Sequence, residues 1–160
     1  MSQFAIENEA KRLSDGVIGT SLWDHIDGVD VAQVYRDLLW RVRTKMVSAS
    51  FPFRCDSPEC YRRMQLAVIP LDSGRVEFHA ILCSEGPHAQ TIELLRHSHS
   101  VESESCMRIC AWCKAVAIDG IWKPLEEAVE LTACLLQEPF PRLTHTICDS
   151  CFAVYDNLAP

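Results

Sequence analysis

Two cysteine pairs of identical spacing, CAWC at 110–113 and CDSC at 148–151, constrain this chain more than any other feature of its sequence. A Cys-x-x-Cys turn aims two sulfurs at one point, and two such turns supply four soft donors for the corners of a tetrahedron. Positions 114–147 lie between them, enough chain for a hairpin and a helix to fold the second pair back onto the first. Cys110, Cys113, Cys148 and Cys151 are therefore assigned as metal ligands, with Zn2+ as the ion and iron in the same cage as the alternative. Four thiolates leave no vertex for water or substrate, so the expected role is structural rather than catalytic. A redox dithiol is the competing use of the same spacing.

The chain has 9 cysteines in 160 residues. An odd number behind a polar start, MSQFAIENEAKR, that does not make an export signal argues against a disulfide framework and for metal or redox use. Cys55 and Cys60 bracket a turn composition, CDSPEC, and together with Cys106 they are the candidate redox thiols outside the cage. Cys134 falls in an amphipathic stretch and reads as a small core residue. His145, three residues before Cys148, is expected to hydrogen-bond a thiolate. With 15 basic against 22 acidic residues the net charge is −7, which disfavours a phosphate-binding surface. No apolar run approaches the ~18 residues of a membrane helix. The expectation is a cytoplasmic protein that engages neither nucleic acid nor the membrane interior.

Hydrophobic spacing organises the remainder. FAIENEAKRL at 4–13 has a helical pattern, and GVIGTSLWDHIDG sets turn glycines around a short apolar helix. Asp30–Met46 predicts a longer helix with Val31, Val34, Leu38 and Val42 on one stripe, capped by Asp30 with Gln33 three positions on. The period then switches to two. VSASFPFR alternates Val47, Ala49, Phe51 and Phe53, with Pro52 marking an irregular or edge strand. RRMQLAVIP and RVEFHAIL, joined by LDSG, predict a hairpin over 63–82 with Met64, Leu66, Val68, Val76, Phe78, Ala80 and Leu82 on one face. Residues 84–105 shift to a Ser/Glu/His-rich composition around a short helix, Ala89–His97, with His88, His97 and His99 read as solvated. KPLEEAVELTACLLQ then predicts a helix with Pro124 in its first turn, Glu126 and Glu127 at its positive end, and Leu125, Val129 and Leu136 buried. The chain divides into 1–84, a linker at 85–105, and a cysteine module at 106–160.

CAWCKAVAIDGIWKPLEEAVE followed by THTICDSC resembles the cysteine-rich segment found after PAS domains in some bacterial signalling proteins. The match falls on Cys110, Cys113, Lys114, Gly120, Trp122, Leu125, Glu126, Glu127, His145, Cys148 and Cys151. VIGTSLWDHIDG, VYRDLLWRVR and FPFRCDSP are similar to the PAS-like half of small bacterial proteins that carry this tail. The resemblance implies an α+β fold: a PAS-like antiparallel sheet with flanking helices, and a small zinc-ribbon-like module. A PAS domain opens with two strands ahead of its short helices, whereas a helical pattern stands here at 4–13. Those strands are shortened or missing, which implies either a reduced sheet or an edge that a partner chain or a linker helix covers.

The function this implies is a non-catalytic sensory or protein-interaction module in bacterial signal transduction, with its pocket ligand unassigned. Its partner is a second copy or another signalling protein. A thiol-based redox sensor using Cys55/Cys60 or the cage is the alternative. A Cys/His enzyme is the weakest reading, because Asp24, His25 and Asp27 would have to meet Cys55 and Asp56 in space. The sequence has no Gly-rich phosphate loop and no kinase segment.

Overall fold

The computed structural model describes residues 18–96, 106–132 and 141–158. The long helix, α1 (Val29–Lys45), forms on its expected stripe: Val31, Val34, Leu38 and Val42 are buried, and Leu39 joins them. Its start differs from expectation. Gly28, not Asp30, is the N-cap, at φ 91° and ψ 125°. Asp30 lies in the first turn, where its carboxylate accepts a hydrogen bond from Thr146 Oγ1 at 3.1 Å and faces the positive helix end. The chain reaches α1 through a 3-10 turn, Leu22–His25, whose start is closed by reciprocal Ser21 and Asp24 hydrogen bonds.

Three antiparallel strands follow, β1 (Ala49–Arg54), β2 (Cys60–Pro70) and β3 (Val76–Pro87), in that spatial order. Alternation turns Ala49 and Phe51 of β1, and Leu66 and Val68 of β2, toward α1. Among the described residues β1 pairs on one side only, as the Pro52 in it requires of an edge strand. The β2–β3 hairpin is longer than the expected 63–82 and turns through Ser73 and Gly74, both at positive φ. Its register sets Leu66 opposite Ala80 and Val68 opposite Phe78, so the expected inner face of β3 is the observed one. Even so, β3 is exposed along nearly its whole length, because the core closed by α1 takes in β1 and β2.

Strand β3 runs to Pro87, so the first residues of the expected linker belong to the sheet. Helix α2 (Glu93–Arg96) stands within the helix expected at Ala89–His97. Its neighbourhood is not a solvated connector: Ile92 and Leu94 are buried in a core cluster. His88, read from the sequence as solvated, has 1% of its side chain exposed. The helical pattern at 4–13, together with His97, His99, Cys134 and Leu136, lies outside the described residues.

Beyond this stretch come β4 (Cys106–Cys110), β5 (Val116–Ile118), β6 (Ile121–Lys123), α3 (Leu125–Leu131), β7 (Arg142–Thr146) and α4 (Asp149–Asp156). Their strands form a mixed sheet in the order β6-β5-β4-β7, with β4 and β7 parallel. Pro124 caps α3 rather than entering its first turn, while Glu126 and Glu127 take the first-turn places expected of them. Leu125, Ala128 and Val129 pack with Ile92, Leu94, Ile109, Val116 and Leu143. The larger core crosses between the two sheets. Val34, Leu38, Val42, Phe51, Leu66 and Val68 share it with Cys110, Trp112, Cys148, Cys151 and Tyr155. The fold is α+β, with one antiparallel and one mixed sheet, and a four-cysteine cluster at the seam.

Candidate metal centre

Parallel pairing of β4 with β7 brings the cysteines together. The two strands run toward the same sheet end, so the chain leaves Cys110 and Thr146 side by side. Each strand then delivers a Cys-x-x-Cys, one in the turn after β4 and one at the start of α4. The Sγ atoms of Cys110, Cys113, Cys148 and Cys151 all lie within 4.8 Å of one another, with Cys113 and Cys148 3.6 Å apart. Zn–S bonds of ~2.3 Å give a tetrahedron with S–S edges of ~3.8 Å. The donor set fits a four-thiolate metal ion.

Backbone hydrogen bonds shape each half of the cage. Cys110 N donates to Ala115 O at 2.8 Å and Lys114 N to Cys110 O at 3.0 Å, closing the first turn, while Ala111 N donates to Thr146 O at 2.8 Å and ties it to β7. Lys114 adopts the left-handed conformation that this turn needs, at φ 64°. Cys148 is the N-cap of α4, and Cys151 sits in that helix's first turn, where the helix dipole favours a thiolate. Cys148 N also donates to Cys110 Sγ at 3.4 Å.

Charge inside the cage is shared. Hydrogen bonds from the Cys113 and Cys151 thiols pull Cys110 strongly below the ordinary thiol range. The same contact with Cys110 raises Cys113 to about 12, and contacts with Cys110 and then Cys113 push Cys151 far up. One sulfur ionises easily and its neighbours serve it as donors. Holding all four as thiolates requires a cation among them. Beside the cage, burial pushes the Lys114 ammonium down, offset by the negative fields of Cys55, Asp56 and Cys110.

The cage is fastened to the first sheet and to α1. Trp112, inside the first Cys-x-x-Cys, is 1% exposed and stacks on Phe51 with ring centroids 3.9 Å apart. Its carbonyl accepts a hydrogen bond from Arg54 N at 2.6 Å. His145, expected beside a thiolate, instead places Nδ1 3.0 Å from Asp27 Oδ2 and so joins β7 to the entry of α1. Gly28 packs against the same residue: a Cβ at 28 would stand 2.2 Å from the His145 carbonyl oxygen. From α4, Tyr155 donates its hydroxyl to Asp37 of α1.

The other candidate thiols lie apart from this site. Cys55 and Cys60 are both free. Burial raises the Cys55 thiol, against the pull of Lys114 and Arg62, which lowers its thiolate fraction. Cys60 Sγ donates to Tyr61 O at 3.4 Å, and the exposed Cys106 has Sγ 2.9 Å from Thr144 Oγ1. The pieces of the hydrolase reading have separate partners. His25 Nε2 is 2.7 Å from Thr20 Oγ1 and Asp24 caps Ser21, whereas Asp56 is paired with Arg54.

Two features escaped the sequence reading. One is an ionic cluster between the sheets. Arg54 bridges Asp56 and Glu126, at 2.6 Å from the latter, and His88 lies 3.9 Å from Asp56 and 3.8 Å from Glu126. The other is a groove of about 420 Å³ bounded by Leu22, Ile26, Val31, Leu66 and Phe78, with His25, Asp27, Tyr35 and His145 as its polar groups. Both are assembled from residues distant in sequence, so local pattern carries no signal for them. No protein-family model, curated protein or solved structure matches the chain.

Proposed function

We propose that this chain is a non-catalytic, PAS-like sensory and protein-interaction module of bacterial signal transduction, held in shape by a structural zinc ion. The observation that carries the reading is the position of the four-thiol cage inside the core shared by both sheets. Four thiolates saturate the ion, so what it supplies is folding free energy and a fixed geometry rather than a reactive vertex. The sensory part is supported by the groove, whose volume lies in the range of small-molecule sites and whose lining mixes apolar walls with a few polar groups. The Asp27–His145 pair lies on that lining and joins the α1 entry to the strand leading to the second cysteine pair. A ligand there bears on α1 and on the cage approach together.

Metal analysis and absorbance of the protein as purified test the reading. One zinc per chain without colour supports it, and a red-brown solution replaces zinc by iron in the same cage. Thiol titration separates it from a redox sensor: cage thiols of a structural site react only after a chelator has removed the ion. Rapid reaction of those thiols in metal-loaded protein, or a folded protein that carries no metal, overturns it.

A further inference from the structure

We propose that the groove between α1 and the first sheet takes a small primary amine with an apolar body, its ammonium group seated at Asp27. This rests on the reading of the groove as the ligand site and adds the chemical class of what enters it. The walls are apolar: Leu22, Ile26, Val31, Leu66 and Phe78 bound a space of about 420 Å³, within the range of small-molecule sites. Phe78 keeps 36% of its surface exposed, so a ligand lying on it removes apolar area from water.

The polar groups select the head. Among the described residues that line the groove there is no Lys or Arg, and Asp27 is the one carboxylate, in a chain of net charge −7. An anionic head would enter against that charge with no fixed cation to offset it. Asp27 Oδ1 accepts from Gly28 N at 2.9 Å, and Oδ2 lies 3.0 Å from His145 Nδ1. These contacts hold the carboxylate in place, and each oxygen retains a lone pair for a further donor. The Asp27 side chain is 68% exposed, so an entering head group can reach it. Because a carboxylate only accepts, the proton between the pair belongs to His145 Nδ1, which leaves the neutral ring a lone pair at Nε2. The Tyr35 hydroxyl oxygen is a further acceptor on the lining. A carboxylate, an imidazole lone pair and a phenol oxygen match the charge and the three N–H donors of an ammonium. A free amine is favoured over a lysine of a partner protein, since the four-carbon stem of lysine fills such apolar walls only in part.

Calorimetric titration of the metal-loaded full chain with phenethylamine, phenethyl alcohol and hydrocinnamate compares three heads on one apolar body. The amine is expected to bind, and the alcohol and the carboxylate to bind about fivefold or more weakly. Asp27→Asn keeps the side-chain shape without the charge and should weaken the amine by a similar factor while leaving the alcohol unchanged. Phe78→Ala, on the exposed strand, should instead weaken amine and alcohol alike. Equal or tighter binding of the alcohol or the carboxylate overturns the amine class and leaves the groove standing as a ligand site. Tighter binding of Nα-acetyllysine amide than of phenethylamine overturns the free ligand in favour of a partner's lysine. Absence of amine binding at millimolar concentration, or amine binding that neither variant alters, overturns the proposal outright. Zinc content of the same samples reports separately on the module reading, which a folded, metal-free protein sinks.

Discussion

Gly28→Ala probes the joint between α1 and the cage. The added Cβ meets the His145 carbonyl oxygen at 2.2 Å, which a backbone atom cannot relieve without shifting β7 or α1. The backbone at 28, φ 91° and ψ 125°, is itself unfavourable for any residue with a Cβ, at about 1–3 kcal/mol. Displacing the joint also strains the Asp27–His145 and Thr146–Asp30 hydrogen bonds, each worth about 1 kcal/mol. The sum is about 3–5 kcal/mol, a large share of the ~5–15 kcal/mol of a typical domain. At ~2–4 °C per kcal/mol for a chain of this size, the melting temperature should fall by about 6–20 °C. Gly120→Ala is the control: φ is also positive, at 82°, but nothing lies within 4 Å of its new Cβ, so only a strain of about 1–2 kcal/mol is expected. Urea melts of the two variants decide the matter. A Gly28→Ala protein no less stable than Gly120→Ala would refute the close docking of α1 on β7.

Cys110→Ser and Cys148→Ser should each lose the metal and several kcal/mol or more of stability; full occupancy with unchanged melting in both variants would remove the four-cysteine assignment. Trp112→Ala, which empties a fully buried site stacked on Phe51, should cost about 3–5 kcal/mol in denaturant melts. On the acid side, a hydrogen bond from Arg54 holds Glu126 below its ordinary value of 4.5. Its contribution is therefore present above that pH and disappears as pH falls through the lower folded value, so Glu126→Gln should flatten the acid limb of stability against pH. On the alkaline side, burial and then the hydrogen bond to Asp37 raise Tyr155 from 10.0 to about 12. Folding favours the neutral phenol, so this stability is complete below pH 10.0 and lost on the way to about 12, a slope that Tyr155→Phe should remove.

The local elements were legible because each is written in a short window. The α1 stripe, the two hairpin strands and the first turn of α3 follow from periods of 3.6 and 2 and from acidic residues at a helix start. The clustering of the four cysteines was legible because metal geometry restricts spacing. The Asp30 cap was misread because the competing term is tertiary: Gly28 is selected by the approach of His145, 117 positions away in sequence. His88 was misread for the same reason, since its surroundings come from Asp56 and Glu126. Composition near it is polar, and polarity alone does not distinguish a solvated histidine from one enclosed among charges.

The shared core decides how far the influence of a metal in the cage would extend. If the cage belonged to a self-contained module, its loss would leave α1 and the first sheet folded. Here Cys110, Cys148 and Cys151 pack in the same cluster as Leu38, Phe51 and Val68, and Trp112 stacks on Phe51 while both rings meet Tyr35 edge-on. Apparent zinc-binding energies in small structural sites are about 10–16 kcal/mol, comparable to the entire stability of a domain. Without the ion, the clustered thiols retain weak hydrogen bonds but lose the interaction that fixes both turns. Trp112 and the start of α4 then have no rigid base, and the face that Phe51 and Leu38 bury against them opens. If the cage holds zinc as proposed, loss of metal and loss of the first sheet should coincide in one transition, because Cys110, Cys148 and Cys151 are themselves part of the core that the sheet and α1 close.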